Sequence, residues 1–183
     1  MIDIKKLNGE DMIELIPTDP RYAELWHAWR SEANTLKFNP IANTSLEKLK
    51  ERMALMSSDL LNLQDAEEFQ FLIRSKGILV GTVGLQNISP MMGYGEINYG
   101  IGQNFQGMGV GTQAVRKFIT MILSKTVLRR LIAYVAEDNI PSRKLLEKIG
   151  FKQEGVCREH YIINGEPTNE VLYGLLRREW VTI

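Results

Sequence analysis

The residues best suited to chemistry form one run, Gln106-Gly107-Met108-Gly109-Val110-Gly111-Thr112. It lies between a strand-like and a helix-like stretch. Three glycines at alternate positions leave the backbone bare, so a ligand can approach its N–H groups closely. A helix starting there points its first N–H groups, which have no internal partner, at whatever lies in front. That end carries roughly half a positive charge, worth about 0.3–1 kcal/mol per neighbouring anion and up to ~2 when partly buried. A phosphate or pyrophosphate is the natural guest; a tight, closely packed turn is the purely structural alternative. A P-loop would end in Gly-Lys-Ser/Thr, whereas this run ends Val110-Gly111-Thr112. A dinucleotide fingerprint is G-x-G-x-x-G, usually on an early strand, and here the pattern is G-x-G-x-G deep in the chain. Both of those phosphate loops drop out.

The flanking pattern predicts the elements that position this run. Met12 to Ile16 reads as a first strand stopped by Pro17. Pro20 to Ser31 reads as a helix burying Tyr22, Leu25, Trp26 and Trp29. A second helix, capped by Asn43 or Thr44, buries Leu46, Leu49, Met53 and Met56. Phe69–Arg74, Ile78–Gln86 and Glu96–Gly102 read as an antiparallel meander with short links. Gly109 to Ser124 is the third helix, burying Val110, Ala114, Phe118 and Met121. Arg130–Glu137 is apolar on both faces, as a covered strand is. A right-handed crossover then makes it parallel to Glu96–Gly102. Asn139 caps a fourth helix that ends at Gly150. Lys152–Ile163 and Thr168–Leu176 form a hairpin around Asn164-Gly165. The fold class is α+β: a mixed, mostly antiparallel seven-stranded sheet flanked by four helices.

Bulk composition narrows the partners. The 183 residues suit one domain, 1–183, with a core that needs no cross-links. Lys plus Arg equal Asp plus Glu at 22 each, so no global field favours nucleic acid or an anionic membrane. Cys157 is the only cysteine, which excludes an intrachain disulfide and offers no thiolate metal site. No stretch has signal-peptide or membrane-spanning character, so a cytoplasmic protein is expected. A homodimer is left open.

Several ordered motifs resemble one family. Gln106-x-x-Gly109-x-Gly111 is similar to the Q/R-x-x-G-x-G/A signature of the GNAT superfamily of N-acetyltransferases. Asn139-x-x-Ser142 and Leu145-Leu146-Glu147-Lys148-Ile149-Gly150-Phe151 resemble its N-x-x-S and L-E-K-x-G-F stretches. Glu154 to Glu159 and Leu175 to Trp180 look like the branch of ribosomal-protein N-terminal (alanine) acetyltransferases. The resemblance covers Glu68 to Trp180, and the first 60 residues only in layout.

The resemblance implies acetyl-CoA as cosubstrate, no metal, and direct attack by a primary amine in a ternary complex. It implies that Gln106, Gly107, Met108, Gly109, Val110, Gly111 and Thr112 cradle the pyrophosphate. The arm of the cofactor would lie in a splayed gap between the two parallel strands, paired with backbone near Tyr99 and Ile101, whose side chains read as core. Ser142 would meet the leaving thiolate, or else only tidy a helix start; Asn139 would touch the cofactor, cap the helix, or both. Relatives carry a tyrosine acid where this chain has Leu146, which leaves Tyr161 as a substitute. Glu96 is the candidate base at a strand end, with Glu159 and His160 as other proton acceptors. Where relatives have an aspartate near the last strand, this chain has Asn169.

Energetics lean toward an α-amine. Neutralising one at pH 7 costs about 1 kcal/mol, against about 4.6 kcal/mol for a lysine. A site without an unmistakable base suits the first, so a protein or peptide N-terminus leads. A small amine (polyamine, amino sugar or antibiotic) and a non-catalytic CoA-binding module are the alternatives.

Overall fold

The structure, a computed structural model, describes residues 13–39, 44–56, 59 and 68–180. The chain enters through β1 (Ile13–Pro17), then a 3-10 turn at Pro20–Tyr22 capped by Asp19. Three short helices follow: α1 (Ala23–Arg30), α2 (Ala33–Phe38) and α3 (Leu46–Leu55). Next come β2 (Phe69–Ser75), β3 (Ile78–Ser89) and β4 (Tyr94–Ile101). The second half runs α4 (Val110–Lys125), β5 (Arg130–Ala136), α5 (Ile140–Ile149), β6 (Lys152–Ile163) and β7 (Glu166–Leu176).

The seven strands form one sheet in the order β1-β2-β3-β4-β5-β7-β6. Every pairing is antiparallel except β4 with β5. That parallel pair follows from the α4 crossover, and it is short. Tyr94, Gly95 and Glu96 pair with Arg130, Leu131 and Ile132, and there the ladder ends. Ile97 to Ile101 keep their partners on β3 and have none on β5. The sheet therefore opens into a wedge at its centre, as the sequence leads one to expect.

The two faces carry different helices. Leu131, Ala133 and Val135 are buried under α4 and α5 with Phe118, Ile119, Ile122, Leu146 and Ile149. On the opposite face Ile132 and Tyr134 are only half-buried, so β5 is sealed on one side rather than both. α1 lies over that second face, where Trp29 sits so close to Gly102 that an added Cβ would come 2.7 Å from its Nε1. A small core of Ala23, Trp26, Leu49 and Met53 ties α1 to α3.

Several sequence expectations need correction. The described residues hold five helices, not four: α2 (Ala-Asn-Thr-Leu-Lys-Phe) buries no side chain and so leaves no apolar period to read. Ser45, not Thr44, caps α3, its Oγ accepting the Lys48 N–H at 3.3 Å; Asn43 and Met12 lie outside the described residues. Leu25 is exposed, because the α1 stripe that turns inward centres on Trp26. β3 runs on to Ser89 and β4 starts at Tyr94, so the link shrinks to a turn closed by Gly93 N–H to Ser89 C=O at 2.8 Å. The hairpin turn is Asn164-Gly165 as expected, both at positive φ (52° and 85°).

Candidate active site

Two layers of residues meet at the wedge. On the α4/α5 side, the glycine run forms an exposed loop between β4 and α4. Gly107 and Gly109 have φ of 75° and 77°, a left-handed conformation that costs other residues about 1–2 kcal/mol. Gln106 Nε2 donates to the Ile101 carbonyl at 2.8 Å, tying the loop to the end of β4. The first backbone bond of the helix is Gln113 N–H to Gly109 C=O at 3.2 Å. The N–H groups of Val110, Gly111 and Thr112 thus have no backbone acceptor, and the 16-residue helix puts its positive end behind them. This geometry suits a pyrophosphate. Met108, 40% exposed, stands at the rim.

Deeper on the same side, Asn139 Oδ1 accepts the Ser142 N–H at 3.3 Å and starts α5. The Ser142 side chain is engaged as well: its Oγ lies 2.7 Å from the Tyr99 hydroxyl. Tyr99 is on the unpaired part of β4, and burial pushes its phenol pKa up to about 12 against the relief given by Ser142. The phenol is therefore protonated at neutral pH, a proton reserve behind Ser142. Sequence reading took the Tyr99 side chain for core; its odd-numbered place on β4 puts it on the helix-covered face, but only the splay brings it to α5. α5 is itself fastened down, since Tyr173 donates to Glu147 at 2.7 Å and accepts from Arg143 at 3.2 Å.

The second layer faces α1. Glu96, at the last rung of the parallel ladder, accepts Gln86 Nε2 at 3.0 Å and Asn87 Nδ2 at 2.8 Å. Asn98 Nδ2 in turn holds Gln86 Oε1 at 3.2 Å. The carboxylate is thereby fixed on the side opposite Tyr99, and each oxygen keeps a free lone pair. Tyr134, two residues past the last parallel rung, flanks it across the gap; burial raises its phenol pKa, helped by the nearby Cys157, Glu96 and Glu170. Arg30 of α1 lies near Arg52, Glu68 and Tyr161. One of its guanidinium nitrogens, Nη2, is buried without a partner. Burial, then the charge of Arg52, lowers its pKa, while Glu68 and Tyr161 oppose.

The sequence-derived residues separate accordingly. Ser142, Asn139, Tyr99, Ile101 and the glycine run share one face, with Glu96 at the mouth of the wedge on the other. Tyr161 pairs with Thr168 at the exposed β6–β7 end, on the Arg30 side of the sheet, and is not brought to Ser142. Glu159 lies in a β-bulge with φ of 49°, its backbone N–H held by Asn169 Oδ1 at 3.0 Å. Asn169 Nδ2 simultaneously donates to Glu137 at 2.9 Å. An aspartate at 169 could not make that second bond. Sequence reading missed Tyr134, which carries no motif and comes near Glu96 only through the packing of the strands.

Comparison with known proteins identifies the family. Residues 13–152 match the family described as acetyltransferase (GNAT) domain. The uncharacterized N-acetyltransferase p20 of Bacillus licheniformis is 30% identical over 152 residues, 83% of this chain and 85% of the relative. The putative ribosomal N-acetyltransferase YdaF of Bacillus subtilis is 38% identical over 104 residues, 57% of each chain. Among solved structures, the microcin C7 self immunity acetyltransferase MccE, in complex with acetyl-CoA and AMP, superposes with a TM-score of 0.78 at 25% identity. It covers 91% of this chain and 93% of that one. A glycine loop with bare N–H groups, a wedge between parallel strands and this breadth of similarity lead to one assignment: the chain belongs to the GNAT family and is an N-acetyltransferase.

Proposed function

We propose that this enzyme transfers acetyl from acetyl-CoA to the α-amine of a protein or peptide N-terminus. The glycine loop takes the pyrophosphate, the arm lies in the wedge, and the thioester comes to rest between Ser142 and Glu96. The amine enters from the α1 face. Glu96, clamped by Gln86 and Asn87, orients the incoming ammonium and draws its proton, through water, toward the carboxylate. On the far side Ser142 Oγ protonates the departing thiolate and takes a proton from the Tyr99 hydroxyl, and the phenolate regains a proton from water once CoA has left. The phenol, protonated at neutral pH, holds the proton this step needs.

The observation that carries the acceptor class is the single fixed carboxylate of Glu96, held by Gln86 and Asn87. A polyamine would call for several carboxylates along its path, whereas the α1 side of the sheet also carries the Arg30 guanidinium and the Arg52–Glu68 ion pair (2.8 Å). The similarity to a putative ribosomal N-acetyltransferase points the same way.

The test is release of CoA thiol from acetyl-CoA over a panel of N-terminal peptides, lysine peptides, polyamines and amino sugars, with the enzyme-only signal from Cys157 subtracted. Release with N-terminal peptides, lost on blocking the α-amine, is expected. Release confined to polyamines or amino sugars would replace the acceptor, and cofactor binding with no release on any amine would favour the non-catalytic alternative.

A further inference from the structure

Acetyl transfer to an ammonium releases two protons from nitrogen. R–NH3+ plus CH3CO–S–CoA gives R–NH–CO–CH3, HS–CoA and one free H+. One proton reforms the thiol; the other must reach solvent. Ser142 and Tyr99 serve the first route. Glu96, half-buried and held by two amides, needs an outlet for the second.

The α1-facing side of the sheet contains a suitable group. His160 Nδ1 lies 2.7 Å from Glu170 Oε2. The imidazole is half exposed, while the carboxylate is only 15% exposed. On its other side the His160 ring packs against Tyr134, with ring centroids 5.1 Å apart. Tyr134 borders the wedge on the side of Glu96, so the imidazole stands one side chain away from the place where the amine must approach. The contact is built by a bulge. Between the pairs Cys157–Glu170 and Tyr161–Thr168, β6 spends four residue steps where β7 spends two. The added length swings His160 onto Glu170, and Asn169 pins it through the Glu159 N–H. Bulges are used in this way to re-aim a side chain beside a site.

We propose that His160, held in its Nδ1–H form by Glu170, receives the net proton of acetyl transfer at Nε2 and releases it to water. The inference rests on the proposed transferase reaction but not on which amine is the acceptor. His160 acts as the proton acceptor and Glu170 as a positioning residue. A carboxylate on Nδ1 fixes the tautomer and leaves Nε2 as the proton-accepting nitrogen. The charged and titratable groups around it are Glu170 on β7, Tyr134 on β5, Glu96 beyond Tyr134 on β4, and Arg158, Glu159 and Tyr161 on its own strand.

The experiment is the pH dependence of kcat/KM for wild type, His160→Gln and Glu170→Gln, measured with whichever amine in the panel gives the fastest thiol release. His160→Gln is expected to lower kcat about 10–100-fold, on the general-base scale, and to change the pH profile. Glu170→Gln, which loosens the tautomer without removing the acceptor, should reduce kcat less. Exogenous imidazole should restore part of the rate of His160→Ala. Imidazole NMR of the wild type supplies a readout independent of turnover, with an Nδ1–H tautomer expected. An unchanged kcat and pH profile in His160→Gln, or an Nε2–H tautomer, overturns the proposal even when transfer is normal. A wild type without transfer to any amine overturns the reaction and this proposal together, which separates the two failures.

Discussion

Tyr99 and Ser142 share a 2.7 Å hydrogen bond across a gap that β5 does not fill. Either oxygen can donate, so in the proposed mechanism a proton given by Ser142 to sulfur is replaced from Tyr99. Losing either hydroxyl should therefore slow chemistry more than binding. Ser142→Ala and Tyr99→Phe are each expected to reduce kcat by about 10–100-fold, within the range for a general acid, and to leave the KM for acetyl-CoA within a few-fold. Steady-state rates against acetyl-CoA check this, and a change in KM alone would reduce Ser142 to a helix-start residue. With its pKa at about 12, Tyr99 does not ionise across the working range. Any alkaline fall in kcat below about pH 10 must then belong to another group.

At the scale of elements, the glycine loop and α4 act as one unit. Gly109 is the N-cap with φ of 77°, and a Cβ there would meet nothing within 4 Å. Gly109→Ala thus causes no clash inside the protein. Its costs are about 1–2 kcal/mol of left-handed backbone strain and a methyl group where an anion approaches the N–H groups. The expected outcome is a lower Tm and a KM for acetyl-CoA raised about tenfold, equivalent to ~1.4 kcal/mol, with kcat within a few-fold. Rates and thermal melts on the same variant separate these effects. Fixing the far end of the site is the task of α5: Asn139 caps it, and the Arg143–Tyr173–Glu147 chain locks it to β7.

The molecule as a whole carries the burial of Tyr99 as a pH-dependent term in its stability. An unfolded tyrosine ionises near pH 10, whereas the folded phenol holds its proton to about 12. Between those values the unfolded state binds fewer protons, so stability falls as pH rises through that window. Below pH 10 the term is fully present. Wild type should lose about 1 kcal/mol more than Tyr99→Phe between pH 9 and pH 11, measured by urea unfolding. Tyr134 and Tyr173 are common to both proteins and cancel in the difference. Equal losses in the two proteins would mean that the phenol is hydrated rather than buried.

How much of this was legible in the sequence depended on the range of the interaction involved. The glycine run, the Asn139 cap, the Asn164-Gly165 turn and the strand–helix–strand crossover are local signals, written by backbone conformation and apolar period within a few residues. They carried the family resemblance and the topology. α2 was not legible because it buries nothing, and the β6 bulge was not because two extra residues leave side-chain alternation in phase. Tertiary structure alone decided that β4 and β5 part after Glu96, that Tyr99 reaches Ser142, and that Tyr134 packs on the His160 of the His160–Glu170 pair. These contacts join residues tens of positions apart on different strands and helices. No short-range pattern encodes them; they arise from packing two helical layers against a twisted sheet that opens at its centre.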